Sequence, residues 1–306
     1  MTKKNRKKSI LVLSHPDEYH AKFIYNKLIN LGESVYFFDL RDFPTKIQLT
    51  YSPSGDYNHR LIIDGEEIFP KSIYWRWYHG SQIKNTKLSS SDRNIAYKDS
   101  LAAMKGYLGS LKCKWVNPPS SYYLHWCKPL QMEKFKNAKI PLPKTIITNE
   151  KDVIFKFIEK HNVSLIYKPV QGGYHTQLVN LNEINELETA LKTSPVTIQE
   201  YIEGDDIRVF IVGKDLYSMK IISTETDFRE DKNHKTIVVD IPDDIKEMCY
   251  KAAKVSKYVF TAIDIKKDKH GNYFFLEANP SPMFIHSEKE TGFPITKNLC
   301  DLLIKG

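Results

Sequence analysis

Two acids near the C-terminal end of the chain, Asp264 and Glu277, lie in strand-like sequence on either side of a turn at His270-Gly271. Folded back about that turn, the segment sets Asp264 opposite Glu277, and alternation along a strand puts Asn279 on the same face. Carboxylates directly opposed across a sheet repel unless positive charge lies between them. A hard, oxygen-ligated cation such as Mg2+ would supply it. Ile263, Ile265, Phe274, Leu276 and Ala278 would fill the reverse face, with Phe275 beside the acids. A pair of solvated surface acids is the alternative, and the apolar surroundings weigh against it because half-buried acids need partners.

A second segment, residues 196–223, presents the opposite charge. A turn centred on Lys214 predicts that Arg208 faces Lys220, with Asp206 in the same row and Ile207, Val209 and Ile211 behind. Opposed cations call for an anion, and a polyphosphate bridged to a nearby metal would meet that need. A simple Asp206–Arg208 salt bridge is the competing reading. Upstream, Lys168 ends the strand-like SLIYKPV and runs into a loop containing Gly172 and Gly173. Such a loop can lie over phosphates, though glycine pairs also mark ordinary turns. Pro129 favours the first turn of a helix, which places Lys128 at a helix start.

Around these residues the chain reads as alternating helix and strand. Residues 9–40 predict strand, helix, strand, with Gly32 closing the helix. The first turn lacks the glycines of a dinucleotide fingerprint, so no Rossmann cofactor site is expected there. Short strands at LIIDG and SIYWRWY follow, then a helix over about residues 92–111. Amphipathic helices are predicted at DDIKEMCYKAAKVSKYV and TKNLCDLLI. Domain boundaries are expected to give segments 1–114, 115–194 and 195–306.

Composition bounds the remaining choices. The chain has 306 residues, 41% of them hydrophobic, and carries a net charge of +8. That is enough to bury a sizeable core in two or three domains. No apolar run approaches the roughly 20 residues of a membrane helix. The basic start, with five of the first eight residues Lys or Arg, is not followed by a long apolar signal segment, so a cytoplasmic location without a membrane partner is expected. Cys113, Cys127, Cys249 and Cys300 are widely spaced and read as reduced structural thiols. Lys is scattered among Asp and Glu, without the basic stripe and interleaved aromatics of a nucleic-acid binder; an anionic small molecule or an acidic peptide suits the charge.

Taken in order, Lys128, Lys168, Gln199-Glu200-Tyr201-Ile202, Asp206, Arg208, Lys220, Asp264 and Glu277-Ala278-Asn279-Pro280 resemble an ATP-grasp ligase over residues 115 to 306. The first half, with SIYWRWYHG, KWVNPP and IPLPKTIITN, resembles the microviridin-ligase type of RimK-like enzyme, the graspetide synthetases. Trp77 stands where that pattern leads to a second arginine beside Arg76, and QGGYH is richer in glycine than the pattern. The resemblance implies an α/β protein with α+β lobes, in which an N-terminal α/β pre-ATP-grasp domain precedes the ATP-grasp fold. It implies that Lys128, Lys168, Gly172 and Gly173 hold phosphates and that Gln199, Glu200, Tyr201 and Ile202 form the adenine hinge. Asp206 would meet the ribose, Arg208 and Lys220 would serve the phosphoryl or acyl-phosphate group, and Asp264, Glu277 and Asn279 would bind two Mg2+ ions. The implied reaction activates an Asp or Glu side chain of a ribosomal precursor peptide and closes ω-amide or ω-ester crosslinks, with a homodimer compatible. A RimK- or glutathione-synthetase-like ligase of free amino acids or small acids is the first alternative, and a nucleotide-binding module without catalysis the second.

Overall fold

A computed structural model gives the structure of the protein and describes residues 8–76, 80–85, 87–171, 176–179, 187–223, 231 and 234–306. Contacts divide it into two units. The first comprises Met1–Pro119, Met283–Ile285 and Pro294–Gly306, and the second comprises Ser120–Pro282 and His286–Phe293.

In the first unit, β1 (Lys8–Leu13), α1 (Tyr19–Asn30) and β2 (Val35–Phe37) form the predicted β-α-β opening. Glu18 caps α1 by accepting from the Ala21 backbone N–H at 2.5 Å, which satisfies one of the helix's orphan donors. Gly32, at φ +80°, turns the chain out of it. β3 (Ile47–Thr50), β4 (Arg60–Ile63) and β5 (Glu66–Glu67) make a small antiparallel sheet. β6 (Phe69–Trp75) and β7 (Lys114–Val116), joined through α2 (Ser90–Ser110), complete a parallel sheet in the order β2-β1-β6-β7. Fully buried Ile10, Leu11, Val12 and Leu13 mark β1 as covered on both faces, as parallel strands are.

The second unit starts with α3 (Pro119–Trp126) and α4 (Lys128–Asn137). β8 (Thr145–Thr148), α5 (Lys151–His161), β9 (Leu165–Pro169), β10 (Gln177–Leu178), α6 (Leu187–Leu191) and β11 (Val196–Glu200) follow, with an antiparallel sheet in the order β10-β9-β11-β8. Its core is Ile154, Phe157, Leu165, Leu191 and Ile198. A five-stranded antiparallel sheet, β14-β13-β12-β15-β16, is built from β12 (Gly204–Val212), β13 (Asp215–Ile222), β14 (Lys235–Val238), β15 (Phe260–Asp268) and β16 (Tyr273–Asn279). Between β14 and β15 runs α7 (Asp243–Ser256), with two acids in its first turn and Lys254 in its last, each favourable to the helix dipole. Buried Ile245, Cys249, Ala252 and Ala253 of α7 and Phe135 of α4 meet Ile207, Val209, Ile211, Ile263 and Ile265 on one face of the sheet. The polar residues of β12 and β15 alternate with these and occupy the other face. Gly204 is needed where β12 begins, because a Cβ there would lie 2.0 Å from the Lys267 carbonyl oxygen.

After α8 (Ile285–Thr291), α9 (Ile295–Lys305) returns to the first unit. Its buried Ile295, Leu299, Cys300 and Leu303 pack there, and Ser72 Oγ of β6 donates to the Leu303 carbonyl at 2.6 Å. The expected segment 195–306 therefore divides near its end, and the first unit runs to Pro119 rather than 114.

Candidate active site

Asp264 does pair with Glu277 across β15 and β16. The register reaches that pairing by an unexpected route. Asp268 receives backbone N–H bonds on its side chain from His270 and Asn272, closing a three-residue turn with Gly271 at φ +87°. A bulge then places Ile265 opposite Phe275 and Asp264 opposite Glu277, leaving Leu276 unpaired. The expected inner face is corrected accordingly: Phe275, fully buried, joins Ile263, Ile265 and Ala278 in the core, while Phe274 and Leu276 do not. Phe275 turns away from the acids rather than lying beside them.

The cationic segment is corrected more deeply. β12 and β13 are joined by Gly213-Lys214 alone, with Val212 opposite Asp215, a two-residue hairpin of the kind that glycine at the first loop position favours. The register moves by one residue, so Arg208 faces Met219 and Lys220 faces Ile207. Lys220 is thus on the core-side face, where its ammonium pairs with Asp205 at 2.7 Å. Arg208 instead faces Asp264 across β15 and holds it with two bonds, Nε to Oδ1 at 2.7 Å and Nη2 to Oδ2 at 3.0 Å. Asp206 faces Lys266, which bonds it at 2.8 Å, so the Asp206–Arg208 salt bridge is replaced by two cross-strand pairs.

Lys128, the first residue of α4, ion-pairs with Glu277. The Glu277 carboxyl is pushed upward by burial, but the charge and hydrogen bond of Lys128, with His125 and Lys168 adding to them, outweigh this and hold it at about 2. Glu277 is therefore ionised at neutral pH. His125 lies at the end of α3, its Nδ1 3.4 Å from Lys128 Nζ. Burial, reinforced by the Lys128 charge, lowers its pKa to about 4, leaving the ring neutral. Asn279 accepts the Ser281 backbone N–H at 2.9 Å on its Oδ1.

In the neighbouring sheet, Lys168 Nζ donates to Gln199 Oε1 at 2.9 Å, and buried Gln199 donates onward to Thr145 Oγ1 at 2.8 Å. Glu200 accepts the Lys144 backbone N–H, and the Glu200 and Tyr201 backbone N–H groups go to Lys144 and Ser164 carbonyls. Ile202 is buried. Gly172, Gly173 and Trp77 lie outside the described residues.

The structure thus brings Lys128, Lys168, Arg208, Asp264 and Glu277 into one electrostatic cluster within the second unit. His125 belongs to it and Lys266 stands on the same sheet face through its pair with Asp206, neither having been expected. His125 is separated from Lys128 by the break between two helices, so no periodicity links them, and Lys266 is revealed only by its pairing to β12. The oxygen donors suit a hard cation: two carboxylates opposed across a strand pair, with a neutral amide next on the same face. Among the described residues no group of three or more His, Cys, Asp or Glu is placed to hold a metal, so the set depends on Asn279 as its third member.

Comparison with known proteins identifies the family. The RimK-like ATP-grasp domain matches residues 128–303, and the MvdD pre-ATP-grasp domain matches residues 9–123. The chain belongs to the RimK-like ATP-grasp family. An ATP-grasp ligase, PsnB, solved with a phosphomimetic variant of a minimal precursor, Mg and ADP, is 27% identical with a TM-score of 0.83, covering 98% of this chain and 99% of that one. The probable alpha-L-glutamate ligase of Mannheimia succiniciproducens is 23% identical over 316 residues, 97% of this chain and 98% of that protein. The alpha-aminoadipate–LysW ligase LysX of Saccharolobus solfataricus is 23% identical over 175 residues, which span 53% of this chain and 64% of that protein. The fold is that of an ATP-grasp protein with a pre-ATP-grasp domain, as the sequence resemblance implied. Within this RimK-like ATP-grasp fold, no described helix is long and apolar enough to cross a membrane.

Proposed function

We propose that the chain is an ADP-forming ligase that activates a carboxylate as an acyl phosphate and passes the acyl group to an amine or hydroxyl. Its substrate in this reading is a precursor peptide with leader and core, crosslinked through ω-amide or ω-ester bonds. The observation that carries the peptide half is the full-length likeness to PsnB, a protein seen with its minimal precursor.

The residues divide the work by charge. Lys128 and Lys168 hold phosphate oxygens, Gln199 to Ile202 border the adenine, and Asp206 meets the ribose. Asp264, Glu277 and Asn279 hold two Mg2+ ions, whose charge when bound offsets that on the phosphoryl oxygens. Arg208 and Lys128 pair with the two acids beforehand. Their donors then turn to phosphate oxygens, where charge-assisted bonds are strongest. Lys220 is left out of this set because it pairs with Asp205 on the other face. A homodimer is part of the proposal, and sedimentation of the full chain tests it.

The likeness to the Mannheimia glutamate ligase, over 98% of that protein, supports a second reading in which a free amino acid or small acid is joined. Hydroxylamine separates the two, since it captures an acyl phosphate as a hydroxamate. With Mg2+ and ATP, a hydroxamate on an Asp or Glu of a precursor-like peptide supports the first reading. One formed only on free amino acids supports the second, and absence of both hydroxamate and ADP with every acid sinks the ligase assignment.

A further inference from the structure

β16 is an outer strand of its sheet, so its outward backbone groups need partners from elsewhere. At Phe275 the N–H goes to the Pro141 carbonyl at 2.9 Å. At Ala278 one side chain reaches both groups, with the His125 ring also bonding to that backbone. Gln131 of α4, 2% exposed, accepts the Ala278 N–H on Oε1 at 3.0 Å and donates Nε2 to the Ala278 carbonyl at 2.9 Å. Its amide also donates to the Tyr258 hydroxyl at 3.1 Å, and Tyr258 in turn donates to the Ser121 carbonyl at 3.2 Å. A primary amide can do this because it carries donor and acceptor side by side, as a neighbouring strand would.

The position gripped is the one between Glu277 and Asn279. Ala278 points into the core, so alternation sends the Glu277 and Asn279 side chains together to the opposite face. Gln131 follows Lys128 by three residues on α4, which places the two on one helix face. Lys128 meets the Glu277 carboxylate while Gln131 grips the next peptide units. We infer that Gln131 is a positioning residue for the cation-holding pair: by fixing Ala278 from both sides, it fixes the direction in which the Glu277 and Asn279 oxygens are presented. This deepens the proposed function and rests on its metal assignment. Outer partners that orient metal ligands typically change affinity by about 10- to 100-fold when removed.

The test uses the full chain, with Mn2+ binding followed by electron paramagnetic resonance in the presence of ADP and with ADP binding measured separately without metal. Gln131→Met keeps the volume and removes the amide. It is expected to weaken Mn2+ by about 10-fold or more while metal-free ADP affinity stays near wild type. Gln131→Glu keeps an acceptor for the Ala278 N–H and is expected to fall between the two, which also covers failure of the Met variant to fold. Tyr258→Phe removes a Gln131 partner but leaves the grip on Ala278, and is expected to keep wild-type Mn2+ affinity. A merely structural Gln131 would lower the melting temperature and leave Mn2+ affinity unchanged in the folded variants; that result overturns the inference while leaving the metal assignment standing. A wild-type chain that binds no Mn2+ with ADP removes the metal assignment and the inference together.

Discussion

At the scale of single residues, each acid of the site is already matched to a cation, Asp264 to Arg208 and Glu277 to Lys128. Removing one member of such a pair changes the local field more than the fold. Glu277→Ala and Lys168→Ala are therefore expected to lower turnover by roughly 100-fold or more with unchanged far-ultraviolet circular dichroism; near-wild-type ADP release in either would contradict their roles. Lys220 provides the contrasting case. Its partly exposed pair with Asp205 is of a kind worth about 0.2–1 kcal/mol, so Lys220→Ala is expected to keep turnover within about threefold. The two acids could be read from strand alternation about one turn, and Lys128 and Lys168 from their places at the start of α4 and near the end of β9. Lys220 was misplaced because one loop residue reverses a strand's faces, and Gly213-Lys214 makes the loop two residues long. His125 and Lys266 reach the cluster only through contacts between distant segments.

At the scale of elements, the bulge at Leu276 is what keeps Asp264 and Glu277 together after a three-residue turn. It also decides which phenylalanine is structural. Phe275→Ala empties a fully buried site and is expected to cost about 3–5 kcal/mol, whereas Phe274→Ala, on a half-buried side chain, is expected to cost much less. Urea titration of both variants measures the difference, and equal losses would refute the bulged register. The helices α1, α4, α7 and α9 could be read from periodicity and their end residues, because those signals are local. The bulge could not, since it depends on how the turn and the core share one residue. The return of α9 to the first unit has the same character: its apolar stripe announces a helix without naming the surface that receives it.

At the scale of the whole molecule, charge and pH set the conditions under which the chain works. His20 in the first unit is buried against Phe284, with ring centroids 5.0 Å apart. Burial, with the nearby Arg76 charge adding to it, lowers its pKa from 6.5 to about 4. The unfolded chain binds the extra proton between these values, so stability is full above about pH 6.5 and is lost as pH falls toward 4. The loss is roughly 3 kcal/mol at about 1.4 kcal/mol per pH unit. His20→Leu is expected to flatten this part of the stability profile, and an unchanged slope would argue against it. The central claim concerns chemistry on a carboxylate, and the intact mass of a precursor-like peptide after incubation with the chain, Mg2+ and ATP tests it most directly. Loss of one water per ADP released is expected, within a single peptide and without added mass. A product that joins two separate molecules, or an unaltered peptide while ADP accumulates, would contradict it.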